Sequence, residues 1–206
     1  MFLVDLHIHT VLGGDSAIEP EEMVVHALAA GMDAVCVTEH HSYALSAPCV
    51  EISRKTGFPI FRGMEYRAAE GHLLVFGVPI GRGDMTPGLP MQKVIDWVQD
   101  KGGVAVPAHP YQGDMVGGSL GDRVMTLTNL FALEGINGSV SDDGNRRAIE
   151  AAWRLGIKAV GGSDAHGVLT VGRACTVFSA PIRNEEELVE ALREDNYHPR
   201  LNGAMP

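Results

Sequence analysis

Histidines and acidic residues in this chain fall at the ends of its apolar runs. Residues 4–9, Val-Asp-Leu-His-Ile-His, read as a strand that ends in His-x-His, with His7 and His9 two residues apart. Residues 159–166 read as a second strand that ends in Asp164-Ala-His166. On an extended backbone, residues i and i+2 point to the same face, so each pair can direct two ligand atoms at one metal ion.

Further residues of the same types lie between these two strands. They occur in the segments Thr38-Glu39-His40-His41, Gly63-Met64-Glu65, Gly71-His72 and Ala108-His109-Pro110, and Asp15 follows the first strand. Burying so many ionisable groups in one place without a cation is expensive. The pattern therefore predicts a metal centre assembled from strand ends.

Strand and helix patterns alternate along the whole chain, which predicts an α/β fold with a parallel sheet and helices outside it. The apolar runs are 2–8, 33–38, 59–64, 72–78, 103–108, 130–136, 157–162 and 174–179, and the helical patterns are 20–31, 47–56, 90–102, 142–156 and 184–196. The residues after 196 are expected to form a tail. The alternation fits either a barrel or a doubly wound sheet. Closure is favoured because a barrel brings ligands on the first and the last strands to one mouth.

One long segment, 111–128, shows no regular pattern and contains Gly113, Gly117, Gly118 and Gly121. Loops of this length more often serve a functional site than a purely connecting role. The remaining chain has no linker or repeat, so we expect a single domain over residues 1–206.

Composition narrows the class of protein. A net charge of −10 disfavours a broad nucleic-acid surface, and no run of about 18 apolar residues predicts a membrane span. We also expect no signal peptide and a cytoplasmic location. Cys36 and Cys175 lie in or near strand patterns and are expected to be core residues, since no C-x-x-C spacing occurs.

Four motifs in this order and spacing resemble the PHP family, the metal-dependent phosphoesterases named for polymerase and histidinol phosphatase. The motifs are 5–10 (Asp-Leu-His-Ile-His-Thr), 38–40 (Thr-Glu-His), 108–110 (Ala-His-Pro) and 162–166 (Gly-Ser-Asp-Ala-His). Glu65 in Gly-Met-Glu resembles the family's bridging glutamate. The resemblance covers essentially the whole chain.

The resemblance implies a distorted (β/α)7 barrel with two or three divalent ions at the C-terminal ends of its strands. The first ion would be held by His7, His9, Glu65 and Asp164, the second by Glu65, His72 and His109, and the third by Asp15, His40 and His166. Imidazole and carboxylate ligands suit zinc, manganese or iron, and the sequence does not choose among them. Glu39 is a departure, since the family usually has Asp before this histidine.

The implied activity is hydrolysis of a small phosphomonoester or a nucleotide phosphodiester by a metal-activated hydroxide. Asp164, His166 and Glu65 are the candidate catalytic residues. Arg173 is the candidate phosphate clamp, because its guanidinium can match two phosphoryl oxygens, and His41 is weighed between substrate contact and a surface position. The expected partner is a small phosphorylated substrate or a nucleotide, with no membrane and no broad nucleic-acid surface, and the oligomeric state is left open.

Two alternatives remain open from the sequence. Similar barrel metal sites also support hydrolysis of amide or ring bonds, as in amidohydrolases. The chain could instead be a non-catalytic metal-binding module, although a structural site would be closed and would need fewer ligands. Ser163 is interpreted as a packing residue, and Glu134 either as a partner of the metal ligands or as a helix cap.

Overall fold

The computed structural model describes residues 1–81, 83–113, 119–194 and 196–202. Nine strands and five α-helices lie in these ranges. The strands are β1 (Phe2–Ile8), β2 (Ala34–Val37), β3 (Ile60–Arg67), β4 (His72–Phe76), β5 (Val104–Pro107), β6 (Ala132–Asn137), β7 (Lys158–Gly162), β8 (Ala174–Phe178) and β9 (Tyr197–Leu201). The helices are α1 (Pro20–Ala29), α2 (Pro48–Thr56), α3 (Met91–Asp100), α4 (Asp142–Leu155) and α5 (Glu185–Arg193).

The helices begin and end where the sequence signals place them, within a few residues. Proline opens α1 and α2, and Asn184 caps α5 by accepting a hydrogen bond from the Glu187 amide at 2.8 Å. Gly57 and Gly156 close α2 and α4 in the left-handed conformation that glycine adopts without strain. The cap of α4 is Ser141, and neither Asp142 nor Glu134 has this role.

Seven strands form one curled, mixed sheet in the order β5-β4-β3-β2-β1-β8-β9. β1, β2 and β3 are parallel, and the pairs β3–β4, β4–β5, β1–β8 and β8–β9 are antiparallel. β6 and β7 form a separate parallel pair. The α/β class is confirmed, but the prediction of a uniformly parallel sheet is wrong.

The antiparallel pairing of β3 with β4 has a physical cause in the connection between them. Residues 68–71 are all that joins β3 to β4, and a parallel crossover needs a dozen residues or more. The Ala68 amide instead donates to the Gly71 carbonyl at 2.8 Å and closes a hairpin. β9 was expected to be a tail, but it lies at the edge of the sheet and pairs with β8. Pro199 is tolerated there because an edge strand does not need the N–H that proline lacks to pair with a second neighbouring strand.

The curled sheet and the β6–β7 pair meet at the end of β1. The Asp164 amide donates to the His7 carbonyl at 2.7 Å, and Ile8 pairs with Ala165 in a short parallel bridge. This junction brings the residues after β7 against the carboxyl end of β1. The strand ends of both sheets therefore meet at one mouth.

Apolar side chains fill both faces of the sheet, and the three cysteines, Cys36, Cys49 and Cys175, are buried and unpaired. The core reading of Cys36 and Cys175 is confirmed. In the segment 111–128, a short 3-10 helix covers Gly121–Thr126, while residues 114–118, with Gly117 and Gly118, lie outside the described residues. Within the described part of the chain, no helix has the length and apolar character needed to cross a membrane.

Candidate metal centre

The structure brings all nine side chains that the sequence singled out as metal ligands to the same mouth. β1 supplies His7 and leads directly into His9, β3 carries Glu65 and β4 begins with His72, while the loops after β1, β2, β5 and β7 supply the others: Asp15, His40, His109, Asp164 and His166. His72 reaches this edge from the start of its strand, because β4 runs antiparallel to its neighbours. A parallel strand would have needed a ligand at its carboxyl end to reach this mouth, whereas β4 provides His72 at its amino end.

Three groups of these side chains could each hold one cation. Cluster A is His7, His9, Glu65 and Asp164; cluster B is His40, Glu65 and His72; cluster C is His9, Asp15, His40 and His166. Within each cluster, one nitrogen or oxygen atom per residue lies within 4.8 Å of all the others. The clusters share members, so they form one continuous centre.

Cluster A has the spacing of a coordination sphere. The Nε2 atoms of His7 and His9 lie 3.1 Å apart, and they lie 3.2 and 3.0 Å from Glu65 Oε2. Asp164 Oδ1 lies 3.4 and 3.5 Å from the same two nitrogens. Zinc–ligand bonds of about 2.0–2.2 Å require ligand–ligand separations of about 2.8–3.6 Å, from octahedral to tetrahedral geometry. The observed separations lie within this range.

Glu65 stands at the centre of the site with its two oxygens facing different groups. Oε2 faces His7, His9 and His40, the last at 3.3 Å from Nδ1. Oε1 lies 2.7 Å from His72 Nδ1 and 3.0 Å from His109 Nε2. A carboxylate that divides its oxygens in this way has the geometry of a bridge between clusters A and B.

Cluster C lies further out towards solvent. Asp15 Oδ2 is 3.2 Å from His40 Nε2 and 3.8 Å from His166 Nε2. The side chains of Asp15 and His166 are 39% and 41% exposed, whereas those of His7 and His9 are fully buried. The centre is therefore closed on its inner side and open at cluster C.

Backbone strain is concentrated in this mouth. His41, His109 and Asp164 have φ angles of +67°, +28° and +52°, a region that residues other than glycine seldom adopt. Such angles persist only where surrounding contacts enforce them, and they are common at functional sites. Asp164 is held by the hydrogen bond from its backbone amide to the His7 carbonyl, and by a 3.4 Å contact from Asn137 Nδ2 to its Oδ2 atom.

Glu134 orients the imidazole of His7 from behind. Its Oε1 atom lies 3.0 Å from His7 Nδ1, while Oε2 accepts bonds from the His109 amide at 2.7 Å and Asn137 Nδ2 at 3.1 Å. A carboxylate only accepts, so Nδ1 carries a proton, and Nε2 faces cluster A, where a bound cation would take the place of a second proton. Asn137 was missed from the sequence, because an asparagine after a strand is an ordinary turn signal.

Glu39 is the residue that departs from the family pattern. Its carboxylate is fully buried; Oε1 accepts bonds from the amide and hydroxyl of Thr10 at 3.0 and 2.5 Å. Its Oε2 atom points at His9 Nδ1 from 3.9 Å. Gly13 leaves room for this longer side chain, because a Cβ there would lie 2.2 Å from Oε2.

Electrostatics favour the charged forms of His7 and Glu65 in the protein by itself. Burial lowers the pKa of His7, but Asp164 and two neighbouring carboxylates outweigh it and hold that pKa well above its usual value. Burial also raises the pKa of Glu65, but His7 and the surrounding imidazole hydrogen bonds outweigh this effect and hold it well below the usual range. His40, by contrast, has a pKa lowered to about 4, chiefly by burial.

The charges in the mouth fit divalent cations. Five carboxylates face six imidazoles here: Asp15, Glu39, Glu65, Glu134 and Asp164 with His7, His9, His40, His72, His109 and His166. Within the described residues, no lysine or arginine pairs with any of these carboxylates. His9 Nδ1 and Glu39 Oε2 are buried there without a hydrogen-bond partner. Divalent cations would balance these carboxylates, and imidazole and carboxylate groups are suitable ligands for them.

Two family models match the sequence of this chain. The model of the PHP domain matches residues 5–105, and that of a PHP-associated region matches residues 143–197. The chain belongs to the PHP family. The two matched regions contain every residue of clusters A, B and C, and His109 lies a few residues beyond the first match.

Relatives of the protein support the fold of this PHP chain. An uncharacterized protein of Methanocaldococcus jannaschii is 28% identical over 133 residues, which are 60% of this chain and 75% of that protein. A two-domain protein from Bacteroides vulgatus, containing a predicted PHP-like metal-dependent phosphoesterase, superposes with a TM-score of 0.74 at 19% identity. The match covers 97% of this chain but only 64% of that protein, which is therefore considerably longer. A Bifidobacterium adolescentis protein proposed to be a metal-dependent phosphoesterase has a TM-score of 0.66 at 20% identity, over 92% of this chain and 95% of the other.

The two candidate substrate contacts lie in different surroundings. His41 directly follows His40, is half-buried, and its ring lies 5.5 Å from that of His40. Arg173 precedes β8 and is exposed, and within the described residues no hydrogen bond or ion pair joins its guanidinium to the clusters. Its role as a phosphate clamp stays a prediction.

Proposed function

We propose that this PHP protein is a metal-dependent phosphoesterase that hydrolyses a small phosphomonoester or a nucleotide phosphodiester. The main observation behind this proposal is that clusters A, B and C overlap. Clusters A and B share Glu65, and clusters B and C share His40. Two or three divalent ions, of zinc, manganese or iron, would occupy clusters A, B and C. His109 would complete cluster B, because its Nε2 atom lies 3.0 Å from Glu65 Oε1.

Hydrolysis adds the oxygen of water to phosphorus and breaks the bond from phosphorus to the leaving oxygen, which takes up a proton. When bound, divalent ions lower the pKa of water and neutralise phosphoryl oxygens. The chain itself supplies orientation. Asn137 and the strained backbone at residue 164 fix the Asp164 carboxylate beside His7 and His9, and Glu134 fixes the His7 ring.

A serine nucleophile is disfavoured by the contacts of Ser163. Its side chain is fully buried, and its hydroxyl donates to the His7 carbonyl at 3.3 Å. The packing interpretation of this residue accords with these contacts. We therefore expect water to attack phosphorus directly, without a covalent enzyme intermediate. In this proposal His166, at the open end of the site, contacts the departing group.

The exposure of cluster C favours catalysis over a purely structural metal site. A structural site is closed and coordinatively saturated, whereas catalytic sites keep a position open for water or substrate. Asp15 and His166 leave such an opening, since about two fifths of each side chain is exposed. This argues for the enzyme over the non-catalytic module.

The experiment is a hydrolysis assay with protein loaded separately with Mn²⁺, Zn²⁺ or Fe²⁺, in which release of the alcohol or amine product is measured for phosphomonoesters, a phosphodiester and an amide. Asp164→Ala and His9→Ala should each lower kcat/KM more than about tenfold, a cost above about 1.4 kcal/mol. Glu150→Ala and His198→Ala are matched controls, because both residues are exposed and lie outside the mouth. Circular dichroism would confirm that each variant is folded.

Three outcomes would contradict the proposal. The first is no hydrolysis of any phosphomonoester or of the phosphodiester with any metal, and the second is hydrolysis of the amide alone. The third is a folded Asp164→Ala variant that keeps more than about a tenth of the wild-type kcat/KM.

A further inference from the structure

A cavity of about 580 Å³ opens beside the metal centre. Asp164 and His166 form the wall that it shares with the clusters, and Ala17, Ser139, Val168 and Leu169 contribute to the other walls. A phosphoryl group held at the clusters would thus have its leaving group directly beside this space.

The outer wall of the cavity is an exposed apolar turn. Val168–Thr170 form a single 3-10 turn immediately after His166, and the Leu169 side chain there is 88% exposed. Exposed leucines are ordinary when they are scattered over a surface. Leu169 differs because it lines the same cavity as two side chains of the proposed metal centre.

The polar groups of the cavity argue against a negatively charged occupant. No lysine or arginine of the described residues lines it, whereas Glu22 does. The hydroxyl of Ser139 is already engaged, since it lies 3.1 Å from the carbonyl oxygens of Ser163 and Asp164. A leaving group that carries its own negative charge would face the carboxylate of Glu22 and would find no lysine or arginine among the described residues of the lining.

We infer that this cavity is the subsite for the leaving group, and that it selects phosphomonoesters of apolar alcohols that carry no negative charge, with Leu169 as the specificity-determining side chain. The inference rests on the proposed phosphoesterase function. It deepens that function by naming the substrate class, and it assigns to the turn after His166 a contact with the alcohol rather than with the phosphate.

The test is a series of phosphomonoesters of rising apolar size, ethyl, butyl, phenyl and 1-naphthyl phosphate, hydrolysed by the metal-loaded protein. Between the ethyl and butyl esters, whose alcohols leave about equally well, each additional buried methylene should raise kcat/KM by about three- to fourfold. In Leu169→Ser, the ratio of kcat/KM for the naphthyl ester to that for the ethyl ester should fall about tenfold, because the apolar wall is lost. Leu28→Ser is the matched control, since Leu28 is an exposed leucine on α1 that does not line the cavity.

A second comparison tests the charge selection. Wild-type protein should prefer phenyl phosphate to 4-carboxyphenyl phosphate, and Glu22→Gln should narrow this preference about two- to fivefold.

The outcomes separate the inference from the function on which it rests. Hydrolysis of the esters without a rise along the series, or with a rise that Leu169→Ser leaves unchanged, would overturn the inference and leave the phosphoesterase function standing. No hydrolysis of any of these monoesters would overturn the inference, and if the phosphodiester is not hydrolysed with any metal either, both are overturned.

Discussion

Gly162 is the position where a single methyl group should disturb the metal centre most directly. It ends β7, two residues before Asp164, and its Cα faces the backbone of β1. A Cβ at this position would lie 2.4 Å from the Cβ of His7 and 2.7 Å from its amide nitrogen. Because the contact is with backbone, no side-chain rotation relieves it, and Gly162→Ala must push β7 away from β1.

The cost follows from the contacts at this junction. Overpacking of a buried site costs about 1–3 kcal/mol. The separation also strains two hydrogen bonds, from the Asp164 amide to the His7 carbonyl at 2.7 Å and from the Ser163 amide to Asp5 Oδ1 at 2.8 Å. At about 1 kcal/mol for each bond, we expect Gly162→Ala to lower the free energy of unfolding by about 3 kcal/mol. The same movement should weaken metal binding at cluster A, since it shifts Asp164 relative to His7.

Equilibrium urea denaturation measures the stability change, and a metal titration measures the affinity of the folded variant. Gly83→Ala is the control, because a Cβ there meets nothing within 4 Å. A Gly162→Ala protein that loses less than about 0.5 kcal/mol and binds metal like the wild type would refute the proposed junction between β1 and β7.

Three further variants or measurements test separate parts of the account. Glu134→Gln should weaken metal binding about 10- to 100-fold, because it removes the charged acceptor of the His7 Nδ1 proton, and a titration with Zn²⁺ would measure this. If the Arg173 guanidinium binds phosphate, Arg173→Ala should raise KM for a phosphorylated substrate more than it lowers kcat. Unchanged steady-state kinetics would contradict this role. Cys36, Cys49 and Cys175 should not react with a thiol reagent until the protein is denatured, because all three are buried and burial raises the pKa of each thiol; rapid labelling of native protein would contradict their positions.

The convergence of the candidate ligands could be predicted because it depends on local rules. The alternation of side chains along a strand places His7 and His9 on one face, and strand ends in an α/β fold collect at one mouth. The direction of each strand could not be predicted with the same rules, since an apolar run has the same pattern in parallel and antiparallel pairs. The short connection 68–71 was the available signal for the β3–β4 hairpin.

Other features escaped the sequence because they depend on three-dimensional proximity. β9 contains Pro199 and polar residues, so its apolar pattern is weak, and only its pairing with β8 makes it a strand. Asn137 reaches Glu134 and Asp164 through the packing of β6 beside β7. The exposure of Leu169 depends on how the turn after His166 sits over the mouth.

The most direct test of the central claim is the metal content of purified protein and of Glu65→Ala, measured by elemental analysis after incubation with Mn²⁺, Zn²⁺ or Fe²⁺ and removal of free metal. Glu65 contributes to clusters A and B. The wild type should therefore retain at least two equivalents of metal, and Glu65→Ala should lose more than one of them while remaining folded. A wild type that retains no metal, or a Glu65→Ala protein that retains the full amount, would contradict a metal centre built around this carboxylate.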